Sequence, residues 1–438
     1  MLGTRLGETC QETRRHRFLP RHCPPHPRRI VRRRRSIADQ NAKGSFIVSL
    51  MNAAERFAAI DRSEITLESR RCLHTQDRHS DCAACFDICP VQAITTGKPP
   101  TLNSKICESC MACLPVCPVG AFHADDDVAD LLTCAAHVED QPVELLCGLH
   151  PHPETGTNPE AIGIQIHGCL AGLGTGALLT LSNFGIKRLT LRAETCVDCK
   201  WHSLHSEIHS QAGRAARFTS AWQGNSSVEC VDEVQSPMER ILWNAKNPPL
   251  SRRDLFRMMA KQGQIALARA MEKGVVASGR QPGRDRLRMN SALSNRIESS
   301  STVNLTGFGF ANLTISEACT ACGACGRACP TGALRFEKNN ENATFSLTFS
   351  PKNCIGCDLC DHVCQPGAIT LDHEPAFQQV FGEKESRVVA SGSLVQCERC
   401  KSWMAAREGV KLCPLCEYRR THPFGSLMPK KIVKGLRQ

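Results

Sequence analysis

The sequence predicts an α+β protein of several domains, in which two cysteine-rich modules flank a small α/β domain with a parallel sheet and a further cysteine module ends the chain. Its length of 438 residues corresponds to about three domains of roughly 150 residues each. Its 28 cysteines are several times the usual share. One cysteine motif also recurs in two separated pairs, which indicates an internal repeat.

The repeated motif has four copies. They read CAACFDICPVQAIT, CESCMACLPVCPVGAF, CTACGACGRACPTGAL and CIGCDLCDHVCQPGAI. The last cysteines of the four copies are Cys89, Cys117, Cys329 and Cys364, in that order. An alanine lies four residues after each of these cysteines, at Ala93, Ala121, Ala333 and Ala368. A large apolar residue follows each alanine. The pattern places a small side chain against a cofactor and an apolar side chain in a small core.

The spacing C-x2-C-x2-C-x3-C-P surrounds a cubane iron-sulfur cluster in bacterial ferredoxins. On these motifs the chain resembles the bacterial two-cluster ferredoxin family twice, across about residues 70–125 and 310–375. In that family the fourth cysteine of one motif binds the cluster of the other. The resemblance therefore implies three complete sets of ligands for 4Fe-4S clusters: Cys319, Cys322, Cys325 and Cys364; Cys354, Cys357, Cys360 and Cys329; and Cys107, Cys110, Cys113 and Cys89.

The first copy departs from the motif, because His79 stands where its first cysteine is expected. Cys82, Cys85 and Cys117 provide three ligands of this fourth set. Cys72, the nearest cysteine upstream, could close the site, since a longer loop costs little entropy. His79 could bind instead and would raise the reduction potential of the cluster. We favour Cys72, because thiolate is the usual ligand of a cubane; a three-iron cluster and an empty site are the remaining alternatives. The other departure, Gln365 before Pro366, shifts the Cys-Pro pair by one residue.

The segment between the two pairs has the pattern of a parallel α/β unit. Short apolar runs at 143–147, 161–166 and 188–191 predict buried strands, and residues 176–184 predict a helix. Four cysteines would then collect at the carboxyl edge of the sheet: Cys147, Cys169, Cys196 and Cys199. The run IGIQIHGCLAGLGTGALLTLSNFGIKRLTLRAETCVDC resembles the iron-sulfur delta subunit of methyl-viologen-reducing hydrogenases, whose two-iron cluster would map to those cysteines.

The match to the delta subunit is partial, because the last cysteine motif is wider in that family. One of four histidines could replace a thiolate at this site: His150, His152, His167 or His202. We interpret Cys134 and Cys230 as structural cysteines.

The end of the chain carries two C-x2-C motifs, formed by Cys397 with Cys400 and Cys413 with Cys416. Four thiolates at this spacing suit structural zinc, and the segment resembles a zinc ribbon. Cys413-Pro414-Leu415-Cys416 also resembles rubredoxin, whose iron is redox active, although the gap between the motifs is shorter than in that family. We favour zinc.

These observations divide the chain into six parts: an Arg-rich disordered tail (1–50), a dicluster module (51–125), the α/β domain (126–235), a helix and linker (236–303), a second dicluster module (304–380) and the zinc module (381–438). The helix is predicted at 254–274 and an unstructured linker follows it. Synthesis could also start at Met51, which would leave the tail out of the working protein. Most of the net charge of +11 lies in the tail, and four oxidised clusters would make the remainder negative, which argues against a nucleic-acid partner.

The predicted function is electron transfer within a larger oxidoreductase assembly, with dehydrogenase, hydrogenase or reductase subunits as partners. We favour an electron-transfer subunit over a stand-alone enzyme. One alternative is an oxidoreductase whose α/β domain binds a substrate or flavin, and another is a factor that assembles clusters for a client. The sequence predicts no transmembrane segment, and cubane clusters suit a reducing cytoplasm better than an oxidising compartment.

Overall fold

A computed structural model describes eleven ranges of the chain: 64–77, 80–95, 97–138, 141–221, 226–234, 237–249, 262–263, 265–270, 279–296, 303–382 and 385–425. The predicted tail, Met51 and His79 lie outside these ranges. The predicted helix at 254–274 is described only in part, and residues 262–263 and 265–270 are helical.

The amino-terminal cysteine region, residues 64–125, is built from short elements around the cysteines. Its strands are β1 (Thr66–Leu67), β2 (Ile94–Thr95), β3 (Thr101–Leu102) and β4 (Phe122–His123), and its helices are α1 (Leu73–Gln76), α2 (Ala84–Asp87) and α3 (Cys113–Val116). β1 pairs antiparallel with β4, and β2 with β3. Leu114 and Phe122 are buried in a small apolar core shared with the cysteines. Elements this short depend on that core, because isolated strands and helical turns are marginal in water.

The central domain, residues 126–249, contains a five-stranded parallel sheet. The strands of the domain are β5 (Val143–Leu146), β6 (Thr155–Gly156), β7 (Ile162–Gln165), β8 (Arg188–Arg192), β9 (Ser227–Val231), β10 (Met238–Glu239) and β11 (Leu242–Asn244), of which β6 and β10 form a separate antiparallel pair. Its helices are α4 (Val128–Ala135), α5 (Thr175–Asn183) and α6 (His205–Thr219). The strand order is β11-β7-β5-β8-β9. Strands β5, β7 and β8 and helix α5 lie where the apolar runs predict them. The sheet also takes in β9 and β11, and β11 lies beyond the predicted boundary at residue 235.

Helix α7 (Arg284–Arg296) corrects the prediction of an unstructured linker over residues 275–303. It packs against α5, where Gly176 N donates to Asp285 Oδ1 at 2.7 Å and Asn183 Nδ2 donates to the carbonyl of Ala292 at 3.1 Å. Arg284, Arg286, Arg288 and Asn290 are buried on this helix. The segment shows no apolar period because part of its buried face is made of hydrogen-bonded polar side chains.

The carboxyl-terminal cysteine region, residues 303–382, repeats the strand pairing of the amino-terminal cysteine region. Its strands are β12 (Asn312–Ile315), β13 (Leu334–Asn339), β14 (Thr344–Phe349) and β15 (Ile369–Asp372), and its helices are α8 (Ala324–Ala328), α9 (Leu359–His362) and α10 (Phe377–Phe381). β12 pairs antiparallel with β15, and β13 with β14. In each cysteine region, therefore, the first strand pairs with the last strand, and the two strands between them pair with each other.

The terminal segment, residues 385–425, is joined to this region by its sheet. It consists of β16 (Arg387–Gln396), β17 (Trp403–Ala405) and α11 (Pro414–Thr421). β16 pairs with β14, which produces the order β13-β14-β16-β17. No helix in the described ranges has both the length and the apolar character that crossing a membrane requires.

Candidate cluster and metal sites

The carboxyl-terminal cysteine region gathers its cysteines in two interleaved sets. In the first, burial raises the pKa of Cys325 to about 12, and the neighbouring thiols of Cys322, Cys319 and Cys364 contribute to that rise. Cys319 likewise has Cys322 and Cys364 as neighbours. Cys364 is remote in sequence, and it arrives from the second motif of the region.

The second set takes its distant member from the first motif. Burial raises the pKa of Cys357 to about 12, and the thiols of Cys329 and Cys354 contribute to that rise. Burial also raises the pKa of Cys360, whose thiol neighbours are Cys354, Cys329, Cys357 and, from the first set, Cys325. The two sets are therefore neighbours, because the thiol of Cys325 in the first set influences the thiol of Cys360 in the second.

The amino-terminal cysteine region has the same arrangement. Burial raises the pKa of Cys110 to about 11, and the thiols of Cys89 and Cys107 contribute to that rise. Burial raises the pKa of Cys113 well above its usual value, and its thiol neighbours are Cys110, Cys107, Cys117 and Cys89. Cys117 belongs to the other set of this region, so these two sets are neighbours as well.

The remaining set contains Cys72. Cys72, Cys82, Cys85 and Cys117 line one cavity. Burial raises the pKa of Cys85 to about 12, and the thiols of Cys117, Cys82 and Cys72 contribute to that rise. Four thiols in one buried cavity would repel one another as thiolates, unless a metal centre supplied positive charge.

Cys72 reaches this cavity because the short helix α1 folds back on the cysteine loop. Cys72 directly precedes α1, and the ring Nε2 of His74 on that helix lies 2.7 Å from the carbonyl oxygen of Cys82. This contact fastens the start of α1 to the loop and brings the distant cysteine beside the motif.

The backbone of the three complete C-x2-C-x2-C loops has a common form. In each loop the second and fourth residues after the first cysteine have positive φ: Ser109 and Met111, Ala321 and Gly323, and Gly356 and Asp358. Left-handed residues between right-handed or extended ones turn successive amides towards the inside of a loop, where they form an anion-binding concavity. The incomplete first loop lacks this form, and Ala83 within it has φ of −111°.

Backbone amides also bind the last cysteine of three copies. The amides of Ala93, Ala121 and Ala368 donate to the sulfur atoms of Cys89, Cys117 and Cys364, each at 3.2 Å. These are the alanines of the repeat, and they are buried. Hydrogen bonds to sulfur stabilise thiolates and tune the potentials of clusters bound by them.

The central domain brings together the four cysteines predicted at its sheet edge. Cys147 follows β5, Cys169 follows β7, and Cys196 and Cys199 follow β8. Burial raises the pKa of Cys196 to about 12, and the thiols of Cys147 and Cys199 contribute to that rise. Burial raises the pKa of Cys169, whose neighbours are Cys147, Cys196 and, from the amino-terminal cysteine region, Cys110.

A buried ionic network supports this edge of the sheet. Arg192 Nη1 donates to Glu144 Oε2 at 2.7 Å, and Arg192 Nε donates to Glu194 Oε1 at 2.8 Å. His150 Nε2 lies 3.0 Å from Glu194 Oε1. Burial raises the pKa of Glu194, but hydrogen bonds from His150 and Arg192 outweigh it and lower this pKa to about 2. His150 thus contacts a carboxylate beside the cysteines, while His152, His167 and His202 are exposed.

The cysteines of the terminal segment form a compact tetrad. The sulfur atoms of Cys397, Cys400, Cys413 and Cys416 all lie within 4.8 Å of one another, and those of Cys400 and Cys413 are 3.7 Å apart. In a tetrahedral zinc site, Zn–S bonds of about 2.3 Å place sulfur atoms about 3.8 Å apart. Amides of Cys400 and Cys413 lower the pKa of Cys397 to about 6. The tetrad fits one tetrahedral metal ion.

The sequence analysis did not predict two buried charged groups. The guanidinium of Arg286 is buried beside Cys354 and lies 3.6 Å from the ring centroid of Phe310. Asp126 is buried between Arg284 and Arg288, with contacts of 3.1 and 2.6 Å. Their arginines fall in the segment interpreted as a linker, so only their spacing along a polar helix could have indicated them.

Comparison with known proteins finds a family match in the carboxyl-terminal cysteine region. Residues 318–368 match the 4Fe-4S dicluster domain family. An iron-sulfur protein of Rhodospirillum rubrum is 37% identical over 92 residues, which are 21% of this chain and 41% of that protein. One subunit of the H(2):CoB-CoM heterodisulfide,ferredoxin reductase of Methanothermobacter marburgensis is 31% identical over 88 residues, 17% of this chain and 13% of that protein.

The chain therefore spans less than half the length of either relative. The matches support 4Fe-4S cluster binding by a ferredoxin-type dicluster domain, in a fold of helices and strands.

Proposed function

We propose that this protein relays single electrons through four 4Fe-4S clusters, held in two dicluster modules, within a larger oxidoreductase assembly. The observation that carries the proposal is that the two sulfur sets of each module are neighbours, while Cys357 of the carboxyl-terminal module packs against the core of the amino-terminal module. Cubane clusters exchange one electron with little change of ligation, and a series of them within one chain can act as a wire.

Each cluster is assigned four thiolates, with one distant cysteine in every set. The four sets are Cys72, Cys82, Cys85 and Cys117; Cys89, Cys107, Cys110 and Cys113; Cys319, Cys322, Cys325 and Cys364; and Cys329, Cys354, Cys357 and Cys360. Cys72 is preferred to His79 as the fourth ligand of the first set, because Cys72 lines the same cavity as the other three.

The contacts between sets suggest an order for the relay. Within each module, the steps run between Cys325 and Cys360 and between Cys117 and Cys113. The two modules meet where Ile355 and Cys357 pack against the apolar core of the amino-terminal cysteine region. This contact supports a path between the modules, because Cys357 is a proposed cluster ligand.

The relay would continue into the central domain through Cys110 and Cys169. We propose that this domain docks a redox partner or holds an additional centre at Cys147, Cys169, Cys196 and Cys199. The resemblance to the delta subunit of methyl-viologen-reducing hydrogenases implies a two-iron cluster there. One relative belongs to a heterodisulfide reductase, which agrees with a partner from a hydrogenase, dehydrogenase or reductase.

The terminal segment is proposed to bind a structural zinc ion through its four cysteines. A closed site with four sulfur ligands has no free position for chemistry and folds a segment too small for a core of its own. We also propose a cytoplasmic location, because a reducing compartment keeps cysteines from forming disulfides and so leaves them able to bind clusters.

Anaerobic purification of the full chain, followed by iron, sulfide and zinc analysis, tests the proposal. Four cubanes require about sixteen iron atoms and sixteen sulfides per chain, and a two-iron centre would add two of each. About eight iron atoms would correspond to two cubanes rather than four and would contradict the relay. Anaerobic co-purification from cells, with the partner identified by mass spectrometry, would then test the assembly, and recovery of no redox protein would count against it.

A further inference from the structure

A second group of metal-binding side chains lies on the central domain, outside all of the cysteine sets. The Nε2 atoms of His205 and His209 lie 2.7 and 2.8 Å from the same carboxylate oxygen of Asp232. The sulfur of Cys230 lies 3.5 Å from Nε2 of His209. Two imidazoles and a carboxylate thus meet at one point on the surface of the domain, with their ligand atoms within 4.8 Å of one another, and the thiol of Cys230 lies beside one of the imidazoles.

Regular structure brings these residues together. His205 and His209 are one turn apart at the start of α6, and residues spaced i and i+4 share one face of a helix. Cys230 lies on β9, and Asp232 follows the end of that strand. The two imidazole rings meet edge to face, with centroids 4.7 Å apart. The group therefore joins the start of a helix to the carboxyl end of a strand.

Hydrogen bonding alone leaves this arrangement incompletely satisfied. Nε2 of His209 faces both Asp232 and Cys230, and a neutral imidazole has a single proton to offer from that nitrogen. A cation bound by His205, His209 and Asp232 would engage both imidazoles and the carboxylate together. The side chains of His205 and His209 are 31% and 36% exposed, so an ion can reach them from solvent.

The donor set favours one class of ion. Zinc binds imidazole nitrogen and carboxylate oxygen at about 2.0–2.2 Å and thiolate sulfur at about 2.3 Å, which places tetrahedral ligand atoms about 3.3–3.6 Å apart. The two contacts to Asp232 need to widen by about half an ångström to reach that range. Magnesium and calcium prefer oxygen ligands and suit this set poorly.

We propose that His205, His209 and Asp232 bind one divalent zinc ion. The site uses none of the proposed cluster ligands, so it can fail while the relay stands, and the reverse also holds.

The test compares zinc binding by the full-length, cluster-loaded protein and by the double variant His205→Gln/His209→Gln. Glutamine keeps an N–H donor for Asp232 but is a poor zinc ligand, so the variant separates a metal site from a hydrogen-bonded surface group. His373→Gln is the matched control, since the Nε2 of His373 lies 3.0 Å from Asp358 Oδ1 elsewhere on the surface. Zinc would be counted by mass spectrometry after anaerobic purification, and by titration of chelator-treated protein against a chromophoric zinc indicator.

We expect the double variant to bind about one zinc ion fewer than wild type and the control, with unchanged iron content. Equal zinc binding by wild type and the double variant, or uptake only at millimolar zinc, would overturn the proposal. If circular dichroism shows that the double variant is unfolded, Asp232→Asn replaces it. That variant is expected to weaken zinc binding at least about tenfold, and unchanged affinity would overturn the site.

Discussion

The ring Nδ1 of His362 lies 3.0 Å from Oδ2 of Asp77, and this contact joins the two cysteine regions across 285 positions of sequence. His362 ends α9, which carries Cys360, and Asp77 directly follows α1, which begins after Cys72. The side chain of Asp77 is only 10% exposed. A polar contact therefore reinforces the apolar packing that places one region against the other.

Asp77→Asn is expected to weaken this junction. Pairs near the surface contribute about 0.2–1 kcal/mol, so we expect a small decrease in the temperature at which the holoprotein unfolds. Electron transfer between the two regions after photoreduction should also slow. Asp87→Asn, at an exposed position in the same region, is the control. Equal effects of the two substitutions would show that His362 and Asp77 do not hold the junction.

Cys72→Ser tests the fourth ligand of the first cluster. We expect this variant to lose between one and four iron atoms, with the electron paramagnetic resonance signal of a three-iron cluster if the remainder survives. Cys134→Ala provides a matched loss of a cysteine, because Cys134 is buried and contacts the carbonyl of Ala245 rather than other cysteines. Wild-type iron content and spectra in Cys72→Ser would remove Cys72 from the ligand set.

Arg286→Gln tests whether a buried cation tunes a cluster. Burial lowers the pKa of Arg286 to about 10, whereas the neighbouring charges of Cys354 and Asp285 raise it. A positive charge beside Cys354 favours the more negative, reduced cluster, so its removal should lower the reduction potential of that cluster. Arg280→Gln is the control, since Arg280 is exposed and binds the carbonyl of Gly326. A potentiometric titration in which both variants match wild type would contradict the effect.

Asp126→Asn should destabilise the region where α7 meets the amino-terminal cysteine region. Removing one member of a buried ionic group leaves the other charges unpaired and costs about 3–5 kcal/mol. Asp125→Asn, at an exposed neighbouring carboxylate, should cost far less. Chemical denaturation of the holoprotein measures the difference, and similar midpoints for the two variants would be inconsistent with a structural role of Asp126.

The ionic group of Asp126, Arg284 and Arg288 also predicts that the stability of the protein depends on pH. Burial raises the pKa of Asp126, but the charges of Arg288 and Arg284 outweigh it and hold this pKa below its usual value. A depressed carboxyl pKa contributes stability that is present above the unfolded value of about 3.9 and is lost as pH falls through the lower folded value. Asp126→Asn should therefore flatten the stability curve in that acidic range, as measured by denaturation at a series of pH values. An unchanged slope would argue against the paired carboxylate.

Much of the candidate site could be predicted from sequence, because the cysteines of each loop are close along the chain and their spacing sets their geometry. The distant member of the three complete sets was implied by the resemblance to two-cluster ferredoxins. Cys72 remained one of several alternatives in the sequence, since its position depends on the contact of His74 with the Cys82 carbonyl. Nothing in the spacing of Cys72 itself indicates that contact.

Other features depend on tertiary contacts that pattern analysis does not reveal. Helix α7 was interpreted as a linker because Arg284, Arg286 and Arg288 are buried where apolar residues are expected. The meeting of His205 with Asp232 depends on packing of α6 against β9, although the i, i+4 histidine spacing was visible in the sequence. Buried polar groups acquire their partners from distant segments, so local periodicity cannot identify them.

Stepwise anaerobic reduction of the purified full chain, followed by electron paramagnetic resonance, tests the relay most directly. The account predicts uptake of about four electrons by four cubanes, with one more if the central domain holds a two-iron centre, and a spectrum broadened by magnetic interaction between neighbouring reduced clusters. Uptake of two electrons or fewer, or sharp signals from clusters that do not interact, would contradict it.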